Sequence, residues 1–199
     1  MIAVDTNLLI HAHRTDLPQH LAAVNALTRL AARPEGWAIP MPCAAEFLSV
    51  VTGSRFRASR TPVAVAFDTL DTWLAHPRCR LIAETSGHLR LFRELVERAG
   101  IAGPDVYDAR IAAICLQHGV EELWTSDRDF ARFPDLRVRD PLIPSLHDPA
   151  QAVWKVAGRR TQAAAPVVAP AATPAAVAPS KRSTPSSNAS RPIVRRSRR

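Results

Sequence analysis

The chain opens with Met1-Ile2-Ala3-Val4-Asp5-Thr6-Asn7, a short apolar run that ends at a carboxylate. The run predicts a buried β-strand, and four further runs of this kind follow, at residues 37–39, 80–83, 123–125 and 136–138. Longer amphipathic stretches alternate with them and predict helices, at residues 17–32, 42–52, 62–75, 86–99 and 105–118. Short strands that alternate with helices indicate an α/β fold with a largely parallel sheet.

Charge divides the 199 residues into two parts. Residues 1–150 carry sixteen arginines against eighteen acids, whereas residues 151–199 carry ten lysines and arginines and no acid, so the net charge of +8 lies entirely in the tail. The tail is rich in Ala, Pro and Ser and ends in Arg195-Arg196-Ser197-Arg198-Arg199. Such a segment cannot bury enough apolar surface to offset its ordering entropy, and we expect residues 146–199 to be largely disordered. Its cations would bind a polyanion in a salt-dependent manner, although an unselected extension is an equal alternative.

Several classes of protein and site are disfavoured by what the sequence lacks. Cys43, Cys79 and Cys115 occur singly, without the C-x-x-C spacing of a zinc ribbon or an even disulfide framework. The N-terminus does not resemble an export signal, and no run of about 18 apolar residues predicts a membrane span, so we expect a cytoplasmic protein without membrane association. There is no G-x-S-x-G elbow, no H-E-x-x-H motif and no lysine in residues 1–150 for a phosphate-binding loop.

Two carboxylates interrupt apolar helix faces. Glu46 shares the face of Cys43, Phe47 and Val50, which predicts that it points toward the interior. Asp108 lies on the stripe of apolar residues that follows it on the predicted helix 105–118, near the start of that helix. Asp105 competes for the same role, but it is rotated away from the stripe and follows Pro104, as a helix cap would.

Two more carboxylates follow strands. Asp5 comes directly after the first strand, and Asp127 comes two residues after the fourth. Because the carboxyl ends of parallel strands form the ligand-binding edge of such a sheet, these acids and the two on helices would converge there. Like charges at that distance require a cation, and carboxylates favour Mg²⁺ or Mn²⁺. A carboxylate-held Mg²⁺ suits phosphodiester hydrolysis.

Four blocks of sequence, in this order and spacing, resemble the PIN-domain ribonucleases and in particular the VapC-type toxins of bacterial toxin–antitoxin pairs. They are Val4-Asp5-Thr6-Asn7, Glu46 in an Ala-rich helix, Tyr107-Asp108-Ala109-Arg110-Ile111-Ala112-Ala113, and Trp124-Thr125-Ser126-Asp127-Arg128-Asp129-Phe130. The resemblance implies a three-layer α/β/α nuclease domain over residues 1–145, an RNA substrate, Mg²⁺ dependence, a homodimer and a small antitoxin partner.

The resemblance also implies roles for individual residues. Asp5, Asp108 and Asp127 would hold the metal ion, and Glu46 would complete the catalytic acids. Four further side chains would support the site from nearby: Thr6, Asn7, Thr125 and Asp129. Apart from the resemblance, the charge of three arginines in a predicted loop favours contacts to RNA phosphates, although a merely solvated loop is as good an interpretation: Arg55, Arg57 and Arg60.

Simpler structural roles stay open for several of these side chains. Asp5 could cap a helix, Glu46 could pair with an arginine, and Asp129 could stabilise the start of a short helix. His11 and His13 are interpreted as surface groups, and the tryptophans as packing residues: Trp37, Trp73 and Trp124.

Two rival functions also remain at this point. One is a nucleic-acid-binding protein with an inactive PIN-like scaffold and a basic tail, and the other is a DNA-directed nuclease with the same metal chemistry.

Overall fold

The computed structural model describes residues 1–143, except for the side chains of Arg55, Arg57 and Ala58. The five strands of this part are β1 (Ile2–Val4), β2 (Trp37–Pro40), β3 (Cys79–Ile82), β4 (Glu122–Trp124) and β5 (Arg137–Arg139). Its helices are α1 (Thr6–His13), α2 (His20–Ala32), α3 (Met41–Thr52), α4 (Val63–Leu74), α5 (His88–Ala99) and α6 (Val106–Gln117). Short 3₁₀ segments occupy Ser54–Ser59, Gly103–Asp105 and Arg128–Arg132. The predicted tail at residues 146–199 lies outside the described residues.

All five strands belong to one parallel sheet in the order β3-β2-β1-β4-β5. Ile2 is in register with Trp37 on one side and with Glu122 on the other, which places β1 at the centre. The chain therefore crosses from β3 at one edge of the sheet to β4 on the far side of β1. The strand order reverses beside β1, where parallel α/β sheets bind their ligands.

Successive residues of each strand face opposite sides of the sheet, and each side has its own core. Val4, Ile39 and Trp124 pack on one side with residues of α1, α2, α3 and α4. Ala3, Ala38 and Leu123 pack on the other side with residues of α5 and α6. This arrangement confirms the predicted three-layer α/β/α fold with a parallel central sheet.

Local sequence explains where several helices begin and end. The backbone N–H of Thr6 donates to the side chain of Asp5, so that α1 starts immediately after β1. Pro42 occupies the first turn of α3, where a missing N–H is tolerated. Gly100 ends α5 in a left-handed conformation with φ of 63°, which glycine adopts without strain.

The predicted strands and helices are confirmed, with shifts of up to three residues at their ends. The helix α1 was not predicted. Two interpretations of residues outside the site were wrong. On α3, Val51 is fully buried whereas Val50 is only partly covered. His13 is a packed residue, since its ring nitrogens contact the hydroxyls of Thr61 at 2.9 Å and Thr69 at 3.4 Å.

The packing role of the tryptophans is confirmed. Trp37 and Trp124 are buried in the core, and Trp73 packs against the Phe47 ring. Among residues 1–143, no helix has the length and apolar character that crossing a membrane requires.

Candidate active site

The site lies at the carboxyl ends of β1 and β4, which are neighbours in the sheet. Asp5 follows β1 directly, and its backbone N–H donates to the carbonyl of Trp124 at the end of β4. Thr125 follows β4, and Asp127 caps the 3₁₀ segment that comes next. The first turn of α6 brings Asp108 to the same edge.

Asp5 is 5% exposed, and both of its carboxylate oxygens accept hydrogen bonds from uncharged donors. Its Oδ1 accepts from the Thr6 backbone N–H at 2.7 Å and from the Cys43 thiol at 3.6 Å. Its Oδ2 accepts from Thr125 Oγ1 and from Asn7 Nδ2, each at 2.6 Å. Asp5 therefore caps α1, as one interpretation of the sequence held, and is at the same time fixed in one orientation at the sheet edge.

Thr125 connects the two strand ends through its hydroxyl. Besides donating to Asp5, Thr125 Oγ1 accepts from Asn7 Nδ2 at 2.7 Å and from the backbone N–H of Asp127 at 2.9 Å. The backbone N–H of Ser126 donates to Asn7 Oδ1 at 3.2 Å. The position of Asp127 is thus tied to that of Asp5 through side chains that carry no charge.

Glu46 reaches the site from α3, but it is exposed, which corrects the expectation that it points into the core. The buried face of α3 consists of Cys43, Ala44, Phe47 and Val51. Glu46 Oε2 accepts a hydrogen bond of 2.7 Å from Thr6 Oγ1. Glu46 therefore stands at the rim of the site, where the beginning of α1 meets α3.

Three acids form a group near Asp5. Carboxylate oxygens of Asp108, Asp127 and Asp129 lie within 4.8 Å of one another. Asp108 is half-buried, whereas Asp127 and Asp129 are exposed. The predicted acids thus meet at one edge of the sheet in two neighbouring sets. One set consists of Asp108, Asp127 and Asp129, and the other of Asp5 and Glu46.

The two sets act on each other electrostatically. Burial, and then the charges of Asp127, Asp5, Asp129 and Asp105, raise the pKa of Asp108 to about 6. Burial raises the pKa of Asp5 as well; the Glu46 charge adds to this rise, and hydrogen bonds from Thr125 and Thr6 oppose it. An acid with a pKa raised by neighbouring acids gains stability when a cation joins the group.

The donor chemistry fits a divalent ion. The side chains that converge here offer carboxylate oxygens, the ligands that Mg²⁺ and Mn²⁺ prefer. The nearby sulfur ligand is unsuitable, because burial raises the pKa of Cys43 well above its ordinary value and keeps it a thiol. Asp108, Asp127 and Asp129 could hold such an ion together, with Asp5 beside them.

Three contacts of the site were missed by the sequence analysis. Cys43 donates to Asp5 from α3, and Arg132 bonds to both Asp129 and Asp105. The spacing of three residues between Asp129 and Arg132 was a usable signal, since residues so spaced meet on one helix face. The other contacts join residues 27 and 38 positions apart, and nothing in the local sequence announces them.

The predicted RNA-contacting arginines lie in and just after the 3₁₀ segment Ser54–Ser59. Arg60 is exposed at its end. The side chains of Arg55 and Arg57 lie outside the described residues, and this contact stays a prediction.

Comparison with known proteins identifies the family. Residues 2–136 match the model of the PIN domain. The chain is 36% identical to Ribonuclease VapC43 of Mycobacterium tuberculosis over 147 residues, which cover 74% of this chain and 99% of that protein. It is 34% identical to Ribonuclease VapC33 of the same species over 149 residues, with 71% and 99% covered.

The chain belongs to the VapC ribonucleases of the PIN-domain family. It is therefore a nuclease and a hydrolase, as the sequence predicted. Solved structures share the fold of this VapC ribonuclease. VapBC2 from Rickettsia felis, bound to a promoter DNA fragment, matches with a TM-score of 0.53 and 22% identity, and the match covers 70% of this chain and 98% of that one. VapC20 of Mycobacterium tuberculosis, a toxin that cleaves the sarcin–ricin loop, has a TM-score of 0.52 and 17% identity, covering 66% and 93%.

Proposed function

We propose that this VapC ribonuclease is a Mg²⁺-dependent endoribonuclease and the toxin of a toxin–antitoxin pair. Asp5, Asp108 and Asp127 hold the metal ion, for which Mn²⁺ can substitute, and Glu46 completes the catalytic acids. The observation that carries this proposal is the meeting of Asp108, Asp127 and Asp129 within 4.8 Å, in the field of a buried Asp5. So much negative charge at one edge opposes folding unless a cation is bound there.

Residues of this chain prepare the site before substrate arrives. Thr6, Asn7 and Thr125 fix both oxygens of Asp5, so that little reorganisation is needed when a ligand binds. Asp129 supports Asp127, because its backbone N–H donates to Asp127 Oδ1 at 2.9 Å. In such carboxylate sites Mg²⁺ lowers the pKa of bound water and offsets negative charge on a phosphate oxygen.

Glu46 is placed to handle a proton at the rim. Its Oε2 accepts from Thr6 Oγ1, which fixes the direction of the carboxylate and leaves Oε1 to accept a hydrogen bond from water. Because Glu46 is exposed, water and the RNA backbone can reach it. We assign to Glu46 the orientation of the attacking water and the removal of its proton.

Membership of the family supports our assignment of the substrate and the partners. RNA is the substrate, and Arg55, Arg57 and Arg60 would add contacts to its phosphates. A small antitoxin protein would inhibit the enzyme, which would act in the cytoplasm as a homodimer. The solved VapBC2 of Rickettsia felis is consistent with such a pair.

The test measures cleavage of a defined RNA by the full chain with Mg²⁺, with EDTA, and with a single-stranded DNA of the same sequence. We expect cleavage of RNA with Mg²⁺ only, and its loss in Asp108→Asn. Asp135→Asn is the matched control, because Asp135 is an exposed acid paired with Arg98 rather than a member of the site. Cleavage that persists in EDTA, or in Asp108→Asn at the wild-type rate, would contradict the proposal.

A further inference from the structure

Arg132 joins two separate segments of the site. It lies at the end of the 3₁₀ segment Arg128–Arg132, one turn after Asp129, and its Nη2 donates to Asp129 Oδ1 at 3.1 Å. Its Nη1 donates to Asp105, which immediately precedes α6. One guanidinium therefore links the segment that carries Asp127 and Asp129 to the helix that carries Asp108.

The link opposes a repulsion between the same two segments. Carboxylate oxygens of Asp108 on α6 lie within 4.8 Å of those of Asp127 and Asp129 on the other segment, so like charges face each other between the two segments. A cation bonded to both segments offsets the tendency of these carboxylates to move apart. Arginine suits this position because its planar group is always charged and can bond two carboxylates at once.

We propose that Arg132, anchored on Asp105, is a positioning residue that holds the Asp129 carboxylate and its segment against Asp108 in the arrangement that binds the metal ion. The inference rests on the proposed function, since it concerns the same ion. Arg132 acts through Asp129 and does not touch the reacting atoms.

The sign of one substitution separates positioning from simple electrostatics. Arg132→Gln removes a positive charge beside a cation site, and Coulomb's law alone then predicts tighter binding of a cation. Lost positioning predicts the opposite, because Asp129 and its segment are no longer held in place. Weaker binding in Arg132→Gln can therefore not come from the change of charge.

The experiment measures Mn²⁺ binding to the full-length, RNA-free protein by electron paramagnetic resonance. We expect the dissociation constant of Arg132→Gln to rise about tenfold, as is usual when a side chain that supports the metal ligands is removed. Arg132→Lys should recover part of this loss. Arg98→Gln is the matched control, because Arg98 also pairs with an exposed acid, Asp135, away from the site. The Mn²⁺ affinity of Arg98→Gln should equal that of wild type.

Each outcome decides between the alternatives. Binding in Arg132→Gln that equals or exceeds wild type overturns the inference and leaves the proposed function intact. So does unchanged Mn²⁺ binding with a raised KM for RNA, which would make Arg132 a phosphate contact. If wild type binds no Mn²⁺, or if Asp108→Asn binds Mn²⁺ as wild type does, both the proposed function and this inference fail.

A structural check accompanies the binding measurement. Arg132 and Asp105 are both partly exposed, so we expect the melting temperature of Arg132→Gln without metal to match that of Arg98→Gln. A folded variant that has lost Mn²⁺ affinity supports positioning. If Arg132→Gln instead loses its affinity because it no longer folds, Asp105→Asn decides, since it removes the residue on which Arg132 is anchored. A folded Asp105→Asn variant with wild-type Mn²⁺ affinity overturns the inference.

Discussion

Asp5 and Arg14 are both 5% exposed, yet they are compensated in opposite ways. Arg14 forms a bidentate pair with Asp16 through Nε at 2.8 Å and Nη2 at 2.7 Å, and it also donates to the backbone carbonyl and side chain of Ser59. Its guanidinium lies 4.3 Å from the centroid of the Phe56 ring. Within the described residues, Asp5 is bonded only by neutral donors and faces other acids.

The difference separates a charge that serves folding from a charge that serves function. The charge of Arg14 is balanced within the fold, where it holds the 3₁₀ segment Ser54–Ser59 against the end of α1. The charge of Asp5 is held in place but left unbalanced. A buried carboxylate without a counterion costs stability, and it is retained where a ligand supplies the missing charge.

The largest effect expected from this comparison is on catalysis. Asp5→Asn removes a metal ligand, so we expect RNA cleavage to fall about 10²–10³-fold, corresponding to the several kcal/mol that a metal ion contributes to stabilising the transition state. The free energy of unfolding should change by no more than about 1 kcal/mol, because the lost charge was itself unfavourable. Single-turnover cleavage and urea unfolding measure the two quantities. Cleavage by Asp5→Asn at the wild-type rate would contradict the functional role of the Asp5 charge, and with it the contrast with Arg14.

Arg14→Gln should show the reverse pattern. The substitution removes the pair with Asp16 and leaves the Ser59 carbonyl without its donor, so we expect a loss of about 2 kcal/mol in the free energy of unfolding. Below the melting transition, the folded protein should cleave RNA at close to the wild-type rate. Thr15→Ala, an exposed neighbour, serves as the control. An Arg14→Gln variant with the wild-type free energy of unfolding would contradict the structural role of Arg14. So would a folded variant that does not cleave RNA.

A smaller effect is expected from the neutral donors that fix Asp5. Thr125→Val keeps the shape of the side chain but removes a hydroxyl that bonds Asp5, Asn7 and the backbone of Asp127. We expect Mn²⁺ affinity to fall about tenfold. Thr125→Ser, which retains the hydroxyl, should bind like wild type, and isothermal titration would measure both. Equal affinities for the two variants would show that this hydroxyl does not position the acids.

The smallest effect concerns stability without metal. The pKa of Asp108 is about 6 in the folded protein against an ordinary value of 3.8, so the folded state binds more protons than the unfolded state between these values. Stability contributed by this group therefore falls as the pH rises from about 4 to about 6. After allowance for solvent screening of a half-buried group, we expect Asp108→Asn to exceed wild type by about 1 kcal/mol at pH 7.

The check is urea unfolding of both proteins in EDTA across this pH range. The advantage of Asp108→Asn should close toward pH 4, and Mg²⁺ at pH 7 should stabilise wild type but not the variant. An advantage that stays constant with pH would show that Asp108 titrates normally.

The sequence predicted the fold and the meeting of the acids because both depend on simple geometry. Asp5 and Asp127 follow parallel strands, whose carboxyl ends share an edge, and the apolar stripe of α6 places Asp108 near the same edge. The tertiary contacts of Arg132, Cys43 and Arg14 with distant residues could not be read from local spacing.

Glu46 was placed wrongly for a related reason. Helical spacing identifies which residues share a face, but not where that face leaves the core and meets solvent. At α3 the boundary falls between Phe47, which is fully buried, and Glu46, which is exposed. The helix α1 was not assigned because it starts without an intervening loop, at an Asp5 that serves both the cap and the site.

Anomalous scattering from crystals soaked in MnCl₂ tests most directly whether the unbalanced acids gather a divalent ion. We predict a peak about 2.1 Å from carboxylate oxygens of Asp108 and Asp127, on the side that faces Asp5, and its loss in Asp108→Asn crystals. A peak at other residues, or fully occupied Mn²⁺ in the Asp108→Asn crystals, would contradict this account.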